Sequence, residues 1–188
     1  MQVIAKLLLL SGGLAVAAGC RPATGSGPEA SENEPSPTAL SCRPGGRLEA
    51  DVYGSVEARI RWTGDQLSCE GMPRPDNAGA RLRFSGHVDD LNGSLAIIIA
   101  LPKLERGGTL SESSARVTVI DEATGRFFSS ADLGTCWSNV ERQELAAGDE
   151  FYIEGIAYCV ASLAEVNGPG SVRFGDIAFS GRVNWTIE

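Results

Sequence analysis

Apolar residues recur at every second position through much of this chain, and that period constrains the fold more than any other feature. The clearest run lies near the C-terminus and places apolar residues or glycine at alternate positions: Ile177, Phe179, Gly181, Val183, Trp185 and Ile187. Period two is the period of a β-strand with one buried face. Similar runs cover residues 56–62 and 82–88, and the second precedes Asn92-Gly93, a hairpin turn signal. These runs predict antiparallel strands joined by hairpins.

The remaining segments are consistent with the same fold class. Residues 95–101 are continuously apolar, which predicts a central strand, and residues 115–121 and 151–160 predict two more. Residues 103–114 are expected to form a loop, and residues 140–147, VERQELAA, are the one candidate for a short helix. Eight or nine strands with closely spaced turns predict an all-β fold. The first choice is an antiparallel β-sandwich, and the second is a closed β-barrel.

The first twenty residues, MQVIAKLLLLSGGLAVAAGC, are built like an export signal. A single Lys6 precedes a run of Leu, Ala and Val that is too short to span a bilayer. The run ends in VAAG directly before Cys20, which resembles the lipobox of bacterial lipoproteins. The resemblance implies that residues 1–19 are removed as a signal peptide and that Cys20 is lipidated. An ordinary signal peptide with a chance cysteine is the alternative.

The lipobox resemblance also implies a location, which is the bacterial cell envelope, with membrane contact through the N-terminal lipid. Arg21 rather than aspartate follows the cysteine, which favours the outer membrane if the host is Gram-negative. Residues 21–41 contain four prolines and no aromatic residue, so they cannot bury enough apolar surface to offset their ordering entropy. Residues 20–41 are therefore predicted to be the lipidated cysteine and a disordered tether. Residues 42–188 are predicted to form a single domain.

Four cysteines fall within the predicted domain, and an even number in an exported domain indicates two disulfides. They are Cys42, Cys69, Cys136 and Cys159. Three pairings are possible, and Cys42–Cys69 with Cys136–Cys159 is favoured because each bridge joins neighbours in sequence. Zinc is the competing interpretation, but no two cysteines have the close spacing of a zinc half-site.

The net charge of the chain restricts its partners. The formal charge is −8 at neutral pH, and removal of Lys6 with the signal peptide makes it more negative. Nucleic acids and anionic lipid headgroups both require a basic face on the protein. The charge therefore argues against both classes of partner.

No residue is assigned a catalytic or metal-binding role. His87 is the only histidine, and it lies in the polar phase of its strand, so it is expected to be exposed. The chain has no nucleophile elbow, metalloprotease motif or glycine-rich phosphate loop. Asp89, Asp90 and Asn92 are interpreted as a hairpin tip rather than a calcium loop, because Leu95 replaces the required glycine. We expect no cofactor.

One group of aromatic residues is a candidate binding face. Trp137 lies next to a cysteine, and Tyr152 and Tyr158 share one phase of a single predicted strand. The alternative is that this strand is simply central in its sheet. The leading functional hypothesis is a non-catalytic binding or interaction module with an envelope protein or glycan as its partner. The other hypothesis is an envelope hydrolase or carbohydrate-active enzyme with carboxylate catalysis.

A short motif occurs twice, as FSGHV at residues 84–88 and as FSGRV at residues 179–183. We interpret the two copies as equivalent strands that face each other, although coincidence is the alternative. The central residues Gly86 and Gly181 leave space at core-facing positions, which predicts a bulge or the close approach of an aromatic ring. The candidate rings are Trp62, Trp137 and Trp185.

The lipobox interpretation gives a direct prediction. Cys20→Ser removes the thiol that would carry the lipid, so we expect this variant to leave the membrane fraction. Centrifugation of cell fractions followed by immunodetection measures the change, and Cys20 is the only cysteine altered. Unchanged sedimentation of the variant with membranes would contradict the lipid anchor.

Overall fold

A computed structural model describes Cys42, residues 45–75 and residues 78–186. The predicted signal peptide, the lipidated Cys20, the tether and Ile187 lie outside the described residues. The described part contains no helix of the length and apolar character needed to span a bilayer.

The strands of the described part pair only in antiparallel fashion. They are β1 (Arg47–Gly54), β2 (Ala58–Thr63), β3 (Ser68–Pro73), β4 (Ala80–Val88), β5 (Gly93–Leu101), β6 (Leu110–Asp121), β7 (Arg126–Ser129), β8 (Cys136–Ala147), β9 (Glu150–Cys159), β10 (Leu163–Glu165), β11 (Ser171–Phe174) and β12 (Ile177–Asn184).

The strand pairings form a closed ring because one edge of β1 and one edge of β6 each pair with two different strands. In β1, residues 47–49 pair with β12 and residues 52–54 pair with β11. In β6, residues 110–115 pair with β8 and residues 118–121 pair with β7. The strands β6, β8, β9, β12, β1, β11, β10 and β7 therefore form a closed circuit. Strand β2 adds to the other edge of β1, and the β3–β4–β5 meander adds to the other edge of β6.

The meander packs face to face on β12. The rings of Phe84 in β4 and Phe179 in β12 lie with their centroids 6.0 Å apart, so the two FSG motifs do face each other. A Cβ at Gly86 would lie 2.7 Å from Cε2 of Trp62, one of the rings proposed from the sequence. At Gly181, however, the nearby ring belongs to Phe84 and not to a tryptophan. Its Cε1 would lie 3.0 Å from an added Cβ.

Strand β2 shows how the alternation produces the core. Ile60 and Trp62 are buried, whereas Arg59 and Arg61 are exposed on the opposite side. Burying each large apolar side chain stabilises the fold by roughly 1.5–3 kcal/mol. The indole N–H of Trp62 donates to the backbone carbonyl of His87 at 2.8 Å, so this tryptophan is buried with its polar group satisfied.

Both disulfides join the cysteines that the sequence analysis paired. The Cys42–Cys69 bridge connects the segment before β1 to β3, and the Cys136–Cys159 bridge connects directly opposite residues of β8 and β9. The bridged cysteines are separated by 27 and 23 residues. In the chain-entropy account, loops of this size stabilise the folded state by roughly 3 kcal/mol each.

The antiparallel all-β prediction with two disulfides is confirmed, but three details are corrected. The described part has twelve strands rather than eight or nine: β1 and β8 were not predicted as strands, and β10 and β11 are too short for an alternating pattern to reveal them. Strand β6 begins at Leu110, within the segment expected to be a loop. Residues 140–147 belong to β8, where pairing with β9 outweighs the helix propensity of Glu, Arg, Gln, Leu and Ala. The choice between a sandwich and a barrel stays a prediction.

The two layers meet closely at Gly71 of β3, where an added Cβ would overlap the carbonyl oxygen of Arg182 in β12. We expect Gly71→Ala to force the layers apart and to lower the free energy of unfolding by about 2 kcal/mol or more. Denaturant unfolding with the disulfides intact measures this. Gly175→Ala is the matched control, because a Cβ at Gly175 meets nothing within 4 Å. Equal losses of stability in the two variants would contradict the close approach.

Candidate functional site

The structure brings Trp137 and Tyr158 together on the outer face of the sheet. They lie directly opposite each other in the β8–β9 pair. Both side chains are partly exposed, whereas their neighbours Cys136, Ser138 and Ala157 point inward and are buried. We call Trp137 and Tyr158 the aromatic platform.

Tyr152 has a different environment, although it shares the outer face of β9. Six residues separate it from Tyr158, which is a distance of about 20 Å along a strand. The guanidinium carbon of Arg142 lies 5.3 Å from the centroid of the Tyr152 ring. The Tyr152 hydroxyl donates to the carbonyl of Gly45 at 3.5 Å. The candidate face taken from the sequence therefore divides into the aromatic platform and a separate tyrosine that packs against the domain's own residues.

The polar groups of the platform distinguish it from the other tryptophans. Trp62 donates its indole N–H to the carbonyl of His87, and Trp185 donates its N–H to Oε1 of Gln143 at 2.8 Å. By contrast, neither the indole N–H of Trp137 nor the hydroxyl of Tyr158 has a hydrogen-bond partner within the described part of the chain. Tryptophan and tyrosine polar groups normally find a partner when buried, so these two groups are available to solvent or a ligand.

The Cys136–Cys159 bridge and Asn139 fix the platform in place. The bridge links the pair of residues directly next to Trp137 and Tyr158 in the strand register. Asn139 lies two residues beyond Trp137 on the same face, and its Oδ1 accepts from the backbone N–H of Glu112 at 2.6 Å. The Asn139 amide nitrogen then has no partner among the described residues, so it can donate to a ligand.

A backbone irregularity in β6 makes the Asn139 contact possible. The β6–β8 register shifts between Leu110 and Ser113, and Glu112 between them has a φ of 44°. Left-handed backbone is uncommon outside glycine, and β-bulges often occur beside functional sites. Sequence reasoning missed Asn139, because residues 140–147 were interpreted as a helix and the outer face of β8 was not traced beyond Trp137. Extending the alternation by two residues would have found it.

Five charged side chains on the outer face of β1, β8, β9 and β12 form ion pairs with one another. Glu154 accepts from Arg142 at 2.6 Å and from Arg47 at 3.3 Å, and Glu150 accepts from Arg182 at 2.6 Å. The hydrogen bond to Glu154 is the main reason that the pKa of Arg142 is raised above its ordinary value. We call this set the ion-pair ladder: Arg47, Arg142, Glu150, Glu154 and Arg182. Each of its three arginines donates to one of its two glutamates.

Residues with the chemistry of catalysis or metal binding lie elsewhere. His87 is exposed, and its Nε2 lies 3.5 Å from Asp89 in the β4–β5 hairpin. Across the described ranges, no group of three or more His, Cys, Asp or Glu side chains is arranged to hold a metal ion. The arrangement around Trp137 offers partly exposed aromatic rings and hydrogen-bond donors.

Comparisons with known proteins add no assignment. No protein family, no curated protein and no solved structure matches this chain.

A second ion pair, away from the platform, ties three segments together. Arg126 of β7 donates to both carboxylate oxygens of Glu165 in β10, at 2.7 and 2.9 Å, and to the carbonyl of Ser55 at 3.3 Å. The backbone N–H of Gly170 also donates to Glu165 at 2.9 Å. The Arg126 hydrogen bond is the main cause of the lowered pKa of Glu165, with burial acting in the opposite direction.

The lowered pKa of Glu165 makes stability depend on acidity. The folded-state pKa of Glu165 lies below its ordinary value of 4.5. Ionised Glu165 therefore stabilises the folded state fully above that value, and this stabilisation is lost as the pH falls through the folded-state pKa. We expect the melting temperature of the native chain to fall more steeply between pH 6 and pH 3 than that of Glu165→Gln. Circular dichroism melts measure this, with exposed Glu141→Gln as the control. Parallel curves for the native chain and Glu165→Gln would contradict it.

Proposed function

We propose that this protein is a lipid-anchored component of the bacterial cell envelope, and that its all-β domain is a non-catalytic binding module. The observation that carries the proposal is the aromatic platform: Trp137 and Tyr158 are register partners, are partly exposed, and have hydrogen-bond donors with no partner among the described residues. Two disulfides are consistent with an extracytoplasmic location. The lipobox resemblance at Cys20 supports the anchor, and it favours the outer membrane in a Gram-negative host.

The geometry favours binding over catalysis by carboxylates. A general acid needs a carboxyl group that stays protonated near neutral pH, which usually requires burial without a cationic partner. Glu150, Glu154 and Glu165 instead accept hydrogen bonds from arginines. The pKa of Glu165 is lowered, which is the direction opposite to that of a general acid. The ligand classes under this proposal are an envelope protein or a glycan, with no nucleic acid and no cofactor.

Capture of envelope components tests the binding module. The full chain, in detergent, is immobilised and exposed to envelope extract, and bound material is identified by mass spectrometry. We expect native chain to retain a component that the double variant Trp137→Ala with Tyr158→Ala loses by tenfold or more. Phe127→Ala is the matched control, since Phe127 is an exposed aromatic residue on β7, outside the platform.

The same experiment contains the outcomes that would overturn the proposal. Equal retention by native chain and the double variant would show that the platform is not the binding surface. Release of soluble fragments from the extract by native chain would show catalysis instead. Circular dichroism of the double variant confirms that a loss of retention does not arise from unfolding.

A further inference from the structure

Two exposed arginines lie in one row across the outer face of β4, β5 and β6. Arg81 of β4 and Arg116 of β6 both pair in register with Ala100 of β5, one from each side. Both arginines are exposed, whereas the residues that follow them, Leu82 and Val117, are buried. Because neighbouring strands lie about 4.8 Å apart, the Cα atoms of the two arginines are separated by about 10 Å. We call Arg81 and Arg116 the arginine pair.

The arginine pair differs from most other arginines because no carboxylate of the described part forms an ion pair with it. Nη2 of Arg81 lies 3.5 Å from Sδ of Met72, and Arg116 has no such contact within the described ranges. Arg173 is also without an ion pair there, but it lies on β11, across from Tyr53. The arginines that do form ion pairs are Arg47, Arg59, Arg61, Arg83, Arg106, Arg126, Arg142 and Arg182.

An occupant of the arginine pair needs negative charge. The chain carries a formal charge of −8, so two neighbouring arginines without carboxylate partners run against its overall composition. A planar guanidinium group donates two parallel hydrogen bonds to a carboxylate, which gives this pairing a defined geometry. The complementary occupant therefore has carboxylates separated by roughly the same distance as the two arginines.

The predicted tether has both the charge and the spacing. Residues 21–41 contain three glutamates, Glu29, Glu32 and Glu34, and a single basic residue, Arg21. Three positions of extended chain separate Glu29 from Glu32, which corresponds to about 10 Å. This segment, which lies outside the described residues, thus has carboxylates at the spacing that the arginine pair requires.

The point at which the tether joins the domain lies close to the arginine pair. Cys42 is bonded to Cys69 of β3, with 5.5 Å between their Cα atoms. Cys69 lies opposite Phe84 of β4, three positions from Arg81, so Cys42 is within about 20 Å of Arg81. Glu34 precedes Cys42 by eight positions, and an extended chain of that length spans about 26 Å. Among the described strands, β3 is the last of the meander, which leaves a path around its edge.

We infer that the acidic segment of the tether, residues 29–34, docks on the arginine pair through its glutamates. An external anion must bind from solution, whereas a segment of the same chain is present at an effective concentration in the millimolar range. The docked segment supplies the carboxylates that the described part of the domain does not. This inference goes beyond the proposed binding function and does not depend on the aromatic platform.

Docking changes how far the domain stands from its predicted anchor. When residues 29–34 lie on the domain, residues 21–28 alone connect Cys20 to the domain surface. The root-mean-square span of the connecting chain, treated as a coil, falls from about 25 Å to about 16 Å. Exposed charges are screened over about 8 Å at physiological ionic strength and about 3 Å at 1 M salt. High salt should therefore release the segment and lengthen the reach of the domain.

Two triple variants that remove equal charge test the contact. The tether variant carries Glu29→Gln, Glu32→Gln and Glu34→Gln. The control variant changes three exposed carboxylates that have no partner within the described part: Glu57→Gln, Asp90→Asn and Glu141→Gln. Both variants are compared with native chain as the full chain in detergent.

Nuclear magnetic resonance of the arginine side chains measures the contact directly. The chains are labelled with ¹⁵N in arginine, and Arg81→Lys and Arg116→Lys identify the two Nε–H signals. We expect the tether variant to move both signals toward the positions that they take in native chain at about 1 M salt, where charges are screened. The control variant should leave both in place. The Arg126 signal should stay unchanged in every variant, because its guanidinium is bound to Glu165.

Proteolysis tests the contact from the side of the arginines. A glutamyl endopeptidase cleaves after the tether glutamates, and a docked segment is protected. We expect the double variant Arg81→Gln with Arg116→Gln to be cleaved in the tether about twofold faster or more than native chain at low salt, and equally fast at about 1 M salt. Arg59→Gln with Arg173→Gln is the matched control, because it removes two exposed arginines from β2 and β11.

The possible outcomes separate this inference from its alternatives. It is overturned if the tether variant leaves both arginine signals in place, if the control variant moves them equally, or if native chain and the Arg81 and Arg116 double variant are cleaved at equal rates at low salt. Signals that move only when envelope extract is added would assign the arginine pair to a separate acidic partner and would also overturn tether docking. None of these results alters the capture experiment on Trp137 and Tyr158, so the two proposals stand or fall independently.

Discussion

The divided edges of β1 and β6 are the constraint on which the rest of this domain depends. A strand edge can satisfy the backbone groups of only one neighbour at each position, so a second neighbour must take a different part of the strand. Strand β1 meets β12 and then β11, and β6 meets β8 and then β7. These two divisions close the circuit of eight strands and leave the outer face of β8 and β9 turned to solvent.

Close packing of the β3–β4–β5 meander against β2 and β12 depends on glycines as well as on large apolar side chains. Gly71 lets β3 approach the backbone of β12, and Gly181 and Gly86 each accept the ring of an aromatic residue. Since protein interiors are packed as densely as organic crystals, a single added methyl group at such a site would overlap neighbouring atoms. Phe84 of one FSG copy fills the space above Gly181 of the other, whereas Phe179 packs on Gly155 and the ring at Gly86 is Trp62.

The sequence predicts those features of the fold that depend on local patterns. Alternation identified most of the long strands, and the spacing of cysteines identified both bridges, because each joins residues near in sequence. Strand neighbours such as β1 and β11 could not be predicted, since nothing in the alternation of residues 52–54 specifies which chain segment lies beside them. The helix prediction at 140–147 failed for the same reason: pairing with β9 is a tertiary effect that propensity does not include.

The candidate site was predictable only in part, for a geometric reason. Tyr152 and Tyr158 lie on the same face of β9 because an even number of positions separates them. The alternation does not show how far apart along the strand they lie, and the Tyr152 ring packs against the Arg142 side chain. The pairing of Trp137 with Tyr158 follows from the Cys136–Cys159 register, which depends on having the correct disulfide. The position of Asn139 needs both the strand assignment of β8 and the bulge in β6.

The platform is held by covalent and hydrogen-bonded neighbours, and that rigidity has consequences for binding. A surface that is already ordered loses little conformational entropy when a ligand arrives, so a few contacts can suffice for recognition. Under the proposed function, many copies of a lipid-anchored protein facing one ligand-bearing surface gain effective concentration. The proposed anchor and the proposed platform therefore support each other: the anchor supplies multivalency, and the platform supplies selectivity.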